Sequence, residues 1–495
     1  MKSKLLQKQD YIWLALGTVL LYFSNWNWAI PAATWLFSIF LLRFSRTRPI
    51  RSGLLGLGLA SLVVGVASMW KLLAIEPIPP IFRIVSGLVL GVIVFLPFLA
   101  DRLLVYKVPP MVATVVFPCS WAGLEYLKAM GNGTWGALAY TQYGNQPFMQ
   151  LASITGLWGF SFLITWFGSV VNFAWEQHFA WRKINSIIIT YSLILCAVYL
   201  YGYARLSGSL ETVDRVSVAT VTNPDDFVKR FYSPDWTDRK RGYKNMEKDL
   251  AHFIASTKKS VNEGAQIVLW QEYSICVMEE NEGEFMGRVQ KLAMEEQIYL
   301  VVAIGLFPIK YPEQPWQNKL MWIDPSGEVI AQYNKLKPAP PLEPITPGTE
   351  PLPIADTSYG KIGSIICADL DYPNIVRQVS GHKGQLLLIA AQSWAAVDPL
   401  HTQMAVFRAI ENGLPVVMGT GGGLSIAVDS HGRQVTSLDS ATTPEKRMIS
   451  SLPLKPIATI YSRIGDSFAW VSILGFMIIA LLPIFVGKRG KCWKK

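Results

Sequence analysis

The sequence predicts two structural classes in one chain: a polytopic α-helical membrane domain of about eight helices, and an α/β layered domain lodged before the last of them. Three observations carry this reading. The 495 residues are 51% hydrophobic and only 16% charged, with a mean hydropathy of +0.29, whereas soluble domains carry about 25% charge. The charges are unevenly spread, because long uncharged runs fill roughly the first 205 residues and the last 30. From Val216 onward the apolar runs shorten to strand length and alternate with amphipathic stretches.

A spanning helix needs about 20 apolar residues, since about 1.5 Å of rise per residue must cross about 30 Å of hydrocarbon. Uncharged windows of suitable length occur at 53–70, 84–100, 108–124, 184–204 and 467–487, and a longer one covers 129–175. In the longer window the Gly/Asn/Gln-rich part from Gly131 to Pro147 reads as an external loop, and Phe148 to Trp175 as one helix. The run from Tyr11 to Leu42 holds no charge but contains Ser24-Asn25-Trp26-Asn27-Trp28 and Pro31, which read as a turn between two short helices.

Basic loops orient these helices. With Lys2, Lys4 and Lys8 in the cytoplasm, two helices return the segment Arg43 to Arg51 to the same side, as the positive-inside rule prefers. The loops Asp101 to Lys107 and Trp181-Arg182-Lys183 then also fall inside, as does the tail from Lys488 to Lys495 after an eighth helix. The expected division is 1–205 for seven membrane helices, 206–462 for an extracytoplasmic domain, and 463–495 for the last helix and a basic cytoplasmic tail. No small-residue cleavage site follows the first helix, which argues against a signal peptide. Many of the 18 tryptophans lie near helix ends, as interfacial anchors do.

In the middle region, strands are expected at Val216–Val221, Gln266–Trp270, Tyr299–Leu306, Ile362–Cys367, Gln385–Ala391, Pro415–Thr420 and Leu424–Val428, with helices at 236–261, 283–296 and 400–413. About 250 residues suffice for one domain with a substantial core. Strand ends hold side chains rigidly while the loops beyond leave room for substrate, and three reactive groups stand at or near such ends. Glu272 follows Ile267-Val-Leu-Trp-Gln271, Lys335 follows Tyr333-Asn, and Cys367 ends Lys361-Ile-Gly-Ser-Ile-Ile. Taken singly, each has a plainer reading: a turn carboxylate, a surface lysine and an inert buried thiol.

Taken in the order Glu, Lys, Cys, the three resemble the triad of the carbon–nitrogen hydrolase (nitrilase) superfamily, which implies an αββα sandwich. On the membrane frame the resemblance narrows to the apolipoprotein N-acyltransferase family. Tyr333-x-Lys335 with Glu343 eight residues on and Pro340 between them is similar to the family's Tyr-x-Lys to Glu segment. The run Cys367-Ala-Asp369-Leu-Asp-Tyr-Pro373 to Arg377 is similar to its nucleophile segment. Arg408-Ala-Ile-Glu411-Asn-Gly-Leu-Pro415 and Asp429-Ser-His-Gly432-Arg433 match later stretches, and Trp121, Glu125 and Trp135 to Gln142 match segments around the fifth helix. The chain departs from the family at Ala368, Asp369, Ala391 to Ala395 and Gly419 to Gly423, and the loop after Lys335 lacks the family's Phe-Gly pair.

The resemblance implies an acyltransferase that moves a fatty acyl chain from a phospholipid, through a Cys367 thioester, to the N-terminal amine of a diacylglyceryl-cysteine lipoprotein. Glu272 would be the base, Lys335 the oxyanion partner and Cys367 the nucleophile. Glu343 and Asp369 would stand beside them, with Trp394, Trp135 and Gln142 as substrate-pocket candidates. The expected partners are a phospholipid donor, a diacylated apolipoprotein acceptor and membrane lipids. No cofactor, metal or nucleic acid is expected: the five cysteines lack CxxC spacing, the five histidines are dispersed, and much of the net charge of +10 sits in short topology-setting loops. The alternatives are a membrane-tethered amidase or nitrilase, an acyltransferase with another amine acceptor, and a transporter or non-catalytic scaffold.

Overall fold

The computed structural model describes residues 2–75, 78–208, 214–223, 238–339 and 343–485, with the side chains of 2–9 and of 485 left aside. The lysines at 2, 4 and 8, Pro340, Cys492 and the basic tail from 488 therefore lie outside the described side chains. The chain divides into two compact units, Met1–Leu206 with Ile464–Lys495, and Ser207–Arg463.

The first unit is helical. Its helices are α1 (Lys2–Tyr22), α2 (Pro31–Thr47), α3 (Ile50–Leu72), α4 (Pro80–Leu104), α5 (Pro110–Asn132), the short α6 (Gln146–Met149) and α7 (Ala152–Thr155), α8 (Trp158–Glu176), α9 (Trp181–Leu206) and the last, α14 (Ser467–Phe485). Proline opens α2, α4 and α5, at a position where its missing N–H has no helical partner to lose. The helices α3 and α4 approach closely through glycine: a Cβ on Gly65 would stand 2.2 Å from the Gly87 carbonyl, with Gly91 one turn further on.

Among the described residues, four helices (α3, α4, α9 and α14) are long and apolar enough to cross a membrane, and the α6–α8 segment makes a fifth if its bent parts form one span. The apolar part of α1, Asp10–Tyr22, is shorter, and α2 has 17 residues. The turn between α1 and α2 falls at Phe23 to Ile30, over the residues whose polarity marks it. The helix expected from Phe148 to Trp175 is broken. Gly156, at φ +60, ends α7, and the chain turns by 116° into α8. The stretch expected as a loop from Gly131 to Pro147 instead holds a buried 3-10 helix, Leu138–Gln142, pinned by the Leu138 N–H on Glu125 Oε1 at 3.1 Å.

The second unit holds two sheets, of seven and six strands, running β13-β1-β2-β4-β5-β6 with β3 beside β4, and β12-β11-β10-β9-β8-β7. The strands are β1 (Arg215–Val221), β2 (Ile267–Trp270), β3 (Ile275–Met278), β4 (Tyr299–Phe307), β5 (Gln317–Ile323), β6 (Val329–Asn334), β7 (Ile354–Thr357), β8 (Gly360–Ile366), β9 (Leu386–Gln392), β10 (Val416–Gly421), β11 (Leu424–Val428), β12 (Gln434–Asp439) and β13 (Arg447–Pro453). In each sheet a parallel set, β1-β2-β4 or β8-β9-β10, is flanked by antiparallel strands. Strands buried on both faces read as continuous apolar runs, and β2, β9 and β10 are buried throughout.

Helices cover both outer faces. On the first sheet, α10 (Arg239–Asn262) and α11 (Glu282–Glu296) set Leu250, Phe253, Phe285 and Val289 against Val268, Trp270 and Val302. On the second, α12 (Pro373–Gly381) and α13 (Leu400–Asn412) do the same. Between the sheets the Trp322 indole donates to Ser364 Oγ at 2.8 Å. This is the αββα sandwich of a nitrilase-type domain, joined in one chain to a helical region with membrane-length apolar helices.

Candidate active site

The reactive groups stand at strand ends in both sheets. Glu272 lies two residues past β2, Lys335 one past β6, and Cys367 directly after β8. Glu272 and Lys335 are 2% and 1% exposed. Lys335 Nζ donates to Glu272 Oε1 at 2.8 Å and to Glu343 Oε2 at 2.6 Å. The backbone holds this lysine on both sides, since its N–H donates to the Asn318 carbonyl and its own carbonyl receives the Gly348 N–H, each at 2.8 Å.

Further donors fix the carboxylates. Asn318 Nδ2 reaches Glu272 Oε1 at 2.8 Å and Glu343 Oε1 at 3.3 Å. Glu343 also accepts from the Tyr273 hydroxyl at 2.7 Å and the Ala339 N–H at 2.7 Å. Asp369 accepts from the Tyr333 hydroxyl at 3.0 Å and from the Lys337 N–H at 2.7 Å. Buried carboxylates persist only with such partners.

Cys367 sits at φ +43, a left-handed conformation that non-glycine residues rarely adopt and that clusters at functional sites. The turn begins the 3-10 helix Cys367–Asp371 and brings the thiol to the Gln392 carbonyl at 3.6 Å. Glu272 and Lys335 stand near enough for their charges to act on the thiol, the first raising its pKa and the second lowering it. The structure thus brings Glu272, Lys335, Glu343 and Cys367 into one cluster, with Asp369 on the turn that Cys367 opens. Trp394 lies two residues beyond Gln392, its indole N–H buried without a partner among the described residues. Trp135 and Gln142 belong to the helical unit, where Lys128 donates to the Trp135 carbonyl and the Trp35 indole to Gln142 Oε1 at 3.2 Å.

The protonation pattern follows from burial and charge. Burial pushes the Glu272 pKa up, Lys335 pulls it down and Glu343 pushes it up again, so it lies above the usual carboxylate range. Burial also raises Glu343, but attraction to Lys335 and the bonds from Lys335, Tyr273 and Ala339 outweigh it, and its pKa lies below that range. Burial opposes charge on Lys335, yet the two glutamates hold it well above a free lysine. Burial and then Glu272 push the Cys367 thiol up, and burial pushes Asp369 up to about 7. Glu343 is therefore the counter-ion of Lys335, which leaves Glu272 as a strengthened base facing a thiol that will not ionise unaided.

Asn318 and Tyr273 were not singled out from the sequence. Tyr273 follows Glu272 directly, which is a signal of a kind. Asn318 lies in β5 with nothing local to mark it. Among the described residues no group of three or more His, Cys, Asp or Glu side chains is placed to hold a metal.

Comparison with known proteins matches residues 234–454 to the carbon-nitrogen hydrolase family and residues 16–170 to the apolipoprotein N-acyltransferase N-terminal domain. An apolipoprotein N-acyltransferase from Geobacter metallireducens is 27% identical, over 96% of this chain and 95% of its own length. One from Bradyrhizobium diazoefficiens is 25% identical, over 72% and 71%. Among solved structures, an amidase from Nesterenkonia sp. aligns at 20% identity and a TM-score of 0.41, covering 53% of this chain and all of the amidase.

Proposed function

We propose that the chain, as a member of the apolipoprotein N-acyltransferase family, acylates lipoproteins through Cys367. It takes a fatty acyl chain from a phospholipid and delivers it to the α-amino group of a diacylglyceryl-cysteine. The observation that carries this reading is the Glu272–Lys335–Glu343 cluster against Cys367.

In the first half-reaction Glu272 takes the Cys367 proton as Sγ attacks the donor's ester carbonyl. The carbonyl oxygen becomes an oxyanion, and the fixed ammonium of Lys335 stabilises it, an effect of about 3 kcal/mol for one well-placed donor. The C–O bond to the glycerol breaks, Glu272 returns its proton to the leaving alkoxide, and a lysophospholipid departs from a Cys367 thioester. In the second half-reaction the acceptor amine attacks the thioester, Glu272 takes the amine's proton, and the thiolate leaves and recovers that proton. Glu343 keeps Lys335 charged throughout, so that Glu272 can gain and lose its proton.

Both substrates carry chains that resist leaving the bilayer, at about 0.8 kcal/mol per buried CH₂, which gives membrane-length helices a purpose on this chain. The basic segments Arg43 to Arg51 and Trp181 to Lys183 support a cytoplasmic-membrane topology of eight spans, with both termini inside and the α/β domain outside.

The test is product analysis. Detergent-purified protein is given a phospholipid labelled in one acyl chain and a diacylglyceryl-cysteine peptide, and the label is expected in an amide on the peptide. Label that emerges only as free fatty acid would mean a hydrolase.

A further inference from the structure

At the ends of β2 and β9, between the two sheets, lie two glutamines that the mechanism above leaves unused. Gln271 precedes Glu272, and Gln392 supplies the carbonyl that receives the Cys367 thiol. They are 1% and 9% exposed. Their side-chain amides meet, with Gln271 Nε2 donating to Gln392 Oε1 at 2.9 Å. Neighbours dictate both orientations. The Asn223 backbone N–H donates to Gln271 Oε1 at 2.9 Å, which turns the Gln271 NH₂ toward Gln392. Gln392 must then present its oxygen, and its own NH₂ donates to the Ser393 carbonyl at 3.3 Å. The result is a one-directional run of amide hydrogen bonds from the end of β1 to the loop after β9.

The space around the pair is shaped to it. Gly421 lies opposite Gln392 in the parallel register of β9 and β10, and its carbonyl receives the Ser393 N–H at 2.9 Å. A Cβ on Gly421 would stand 2.3 Å from Gln271 Oε1 and 2.3 Å from Gln392 Oε1. A side-chain end can ordinarily swing clear of such a clash, but these two are held by hydrogen bonds on both sides.

We propose that the Gln271–Gln392 bridge is a positioning device that sets the spacing between Glu272 and Cys367. This rests on the acyl-transfer reading of that site. Glu272 stands on the first sheet and Cys367 on the second, and the hydrogen-bond ladders of the two sheets do not join. The bridge ties them beside both groups: one end is the residue before Glu272, and the other carries the carbonyl against the thiol. Such spacing matters steeply, since a misplacement of about 1 Å costs on the order of 10²-fold in rate.

The experiment follows alkylation of Cys367 by iodoacetamide across a pH series in the full-length, detergent-purified protein, read by peptide mass spectrometry. Gln271→Leu and Gln392→Leu are each expected to slow alkylation at neutral pH by about tenfold or more, because Glu272 is no longer placed to take the proton as the thiol reacts. They should lower kcat for acyl transfer and leave KM for the phospholipid unchanged. The double variant should be no slower than either single one, as for two parts of one device. A profile that coincides with wild type, even with a lowered melting temperature, overturns the proposal, and so do effects that multiply in the double variant. If a leucine variant fails to fold, Gly421→Ala keeps both amides and forces them apart. The same slowing is expected of it, and an unchanged profile refutes the bridge. Alkylation needs no lipid, so a protein that alkylates as expected yet transfers no acyl chain refutes the acyltransferase reading and leaves the bridge standing.

Discussion

Arg408 and Glu411 pair on α13 with no exposure at either side chain, and Arg408 Nε donates at 2.9 Å to the Leu370 carbonyl of the turn that Cys367 opens. In the same domain, the equally buried Lys335 lies between Glu272 and Glu343. The first cluster has one cation that cannot lose its proton and one carboxylate. It serves to hold the turn that carries Cys367. The second sets one cation against two carboxylates and a thiol, with Glu343 pushed down and Glu272 and Cys367 pushed up. A proton there has more than one place to be, which is what acid–base chemistry needs. In the helical unit, Arg46 grips Asp101 through two bonds of 3.0 and 2.7 Å and meets Glu176 at 3.5 Å.

The comparison can be broken at several points. The largest effect is expected from Cys367→Ala, which should lower acyl transfer to the peptide by about 10⁴-fold or more with unchanged circular dichroism. Substantial residual transfer would move the chemistry elsewhere. Next comes Arg408→Met, which strands a buried carboxylate and should destabilise the domain by about 3–5 kcal/mol. Thermal unfolding monitors that loss, and the acylation rate per folded molecule should stay within about twofold of wild type if the pair only supports the turn.

Glu343→Gln should do the reverse, keeping the fold while costing about 10²-fold in rate. The Glu343 charge raises the Glu272 pKa, so its removal lowers that pKa. The acid limb of the rate profile, set by deprotonation of Glu272, should therefore move to lower pH, and an unmoved limb would deny the coupling. The smallest effect concerns Asp369. Its folded pKa of about 7 lies above the unfolded value of about 4, so it contributes stability that is fully present below about pH 4 and lost as pH rises through about 7. Asp369→Asn should remove that slope from melting temperatures taken across the range.

How much of this was legible in the sequence differed by element. Strands β1, β2, β4, β8, β9, β10 and β11 were visible as apolar runs because they are buried on one or both faces. The mixed faces of β6, β7 and β12 carry no such signal. In the helical unit, hydropathy cannot see the break at Gly156, because its cause is a backbone conformation and not a change of polarity. At the candidate site Glu272 and Cys367 were marked by the strands they end. Lys335 had only a motif to mark it, while the Gln271–Gln392 bridge depends on two sheets meeting, which spacing along a chain does not encode.

The most direct measurement is a pulse and chase on intact protein. A phospholipid with a labelled acyl chain is added without acceptor, the mass of Cys367 is read, and a diacylglyceryl-cysteine peptide follows. An acyl-sized, hydroxylamine-sensitive increment on Cys367 that moves to the peptide's amine is the expected result. Native protein that never acquires the increment, while the peptide is still acylated, would contradict a thioester at Cys367 and with it the roles assigned to Glu272 and Lys335.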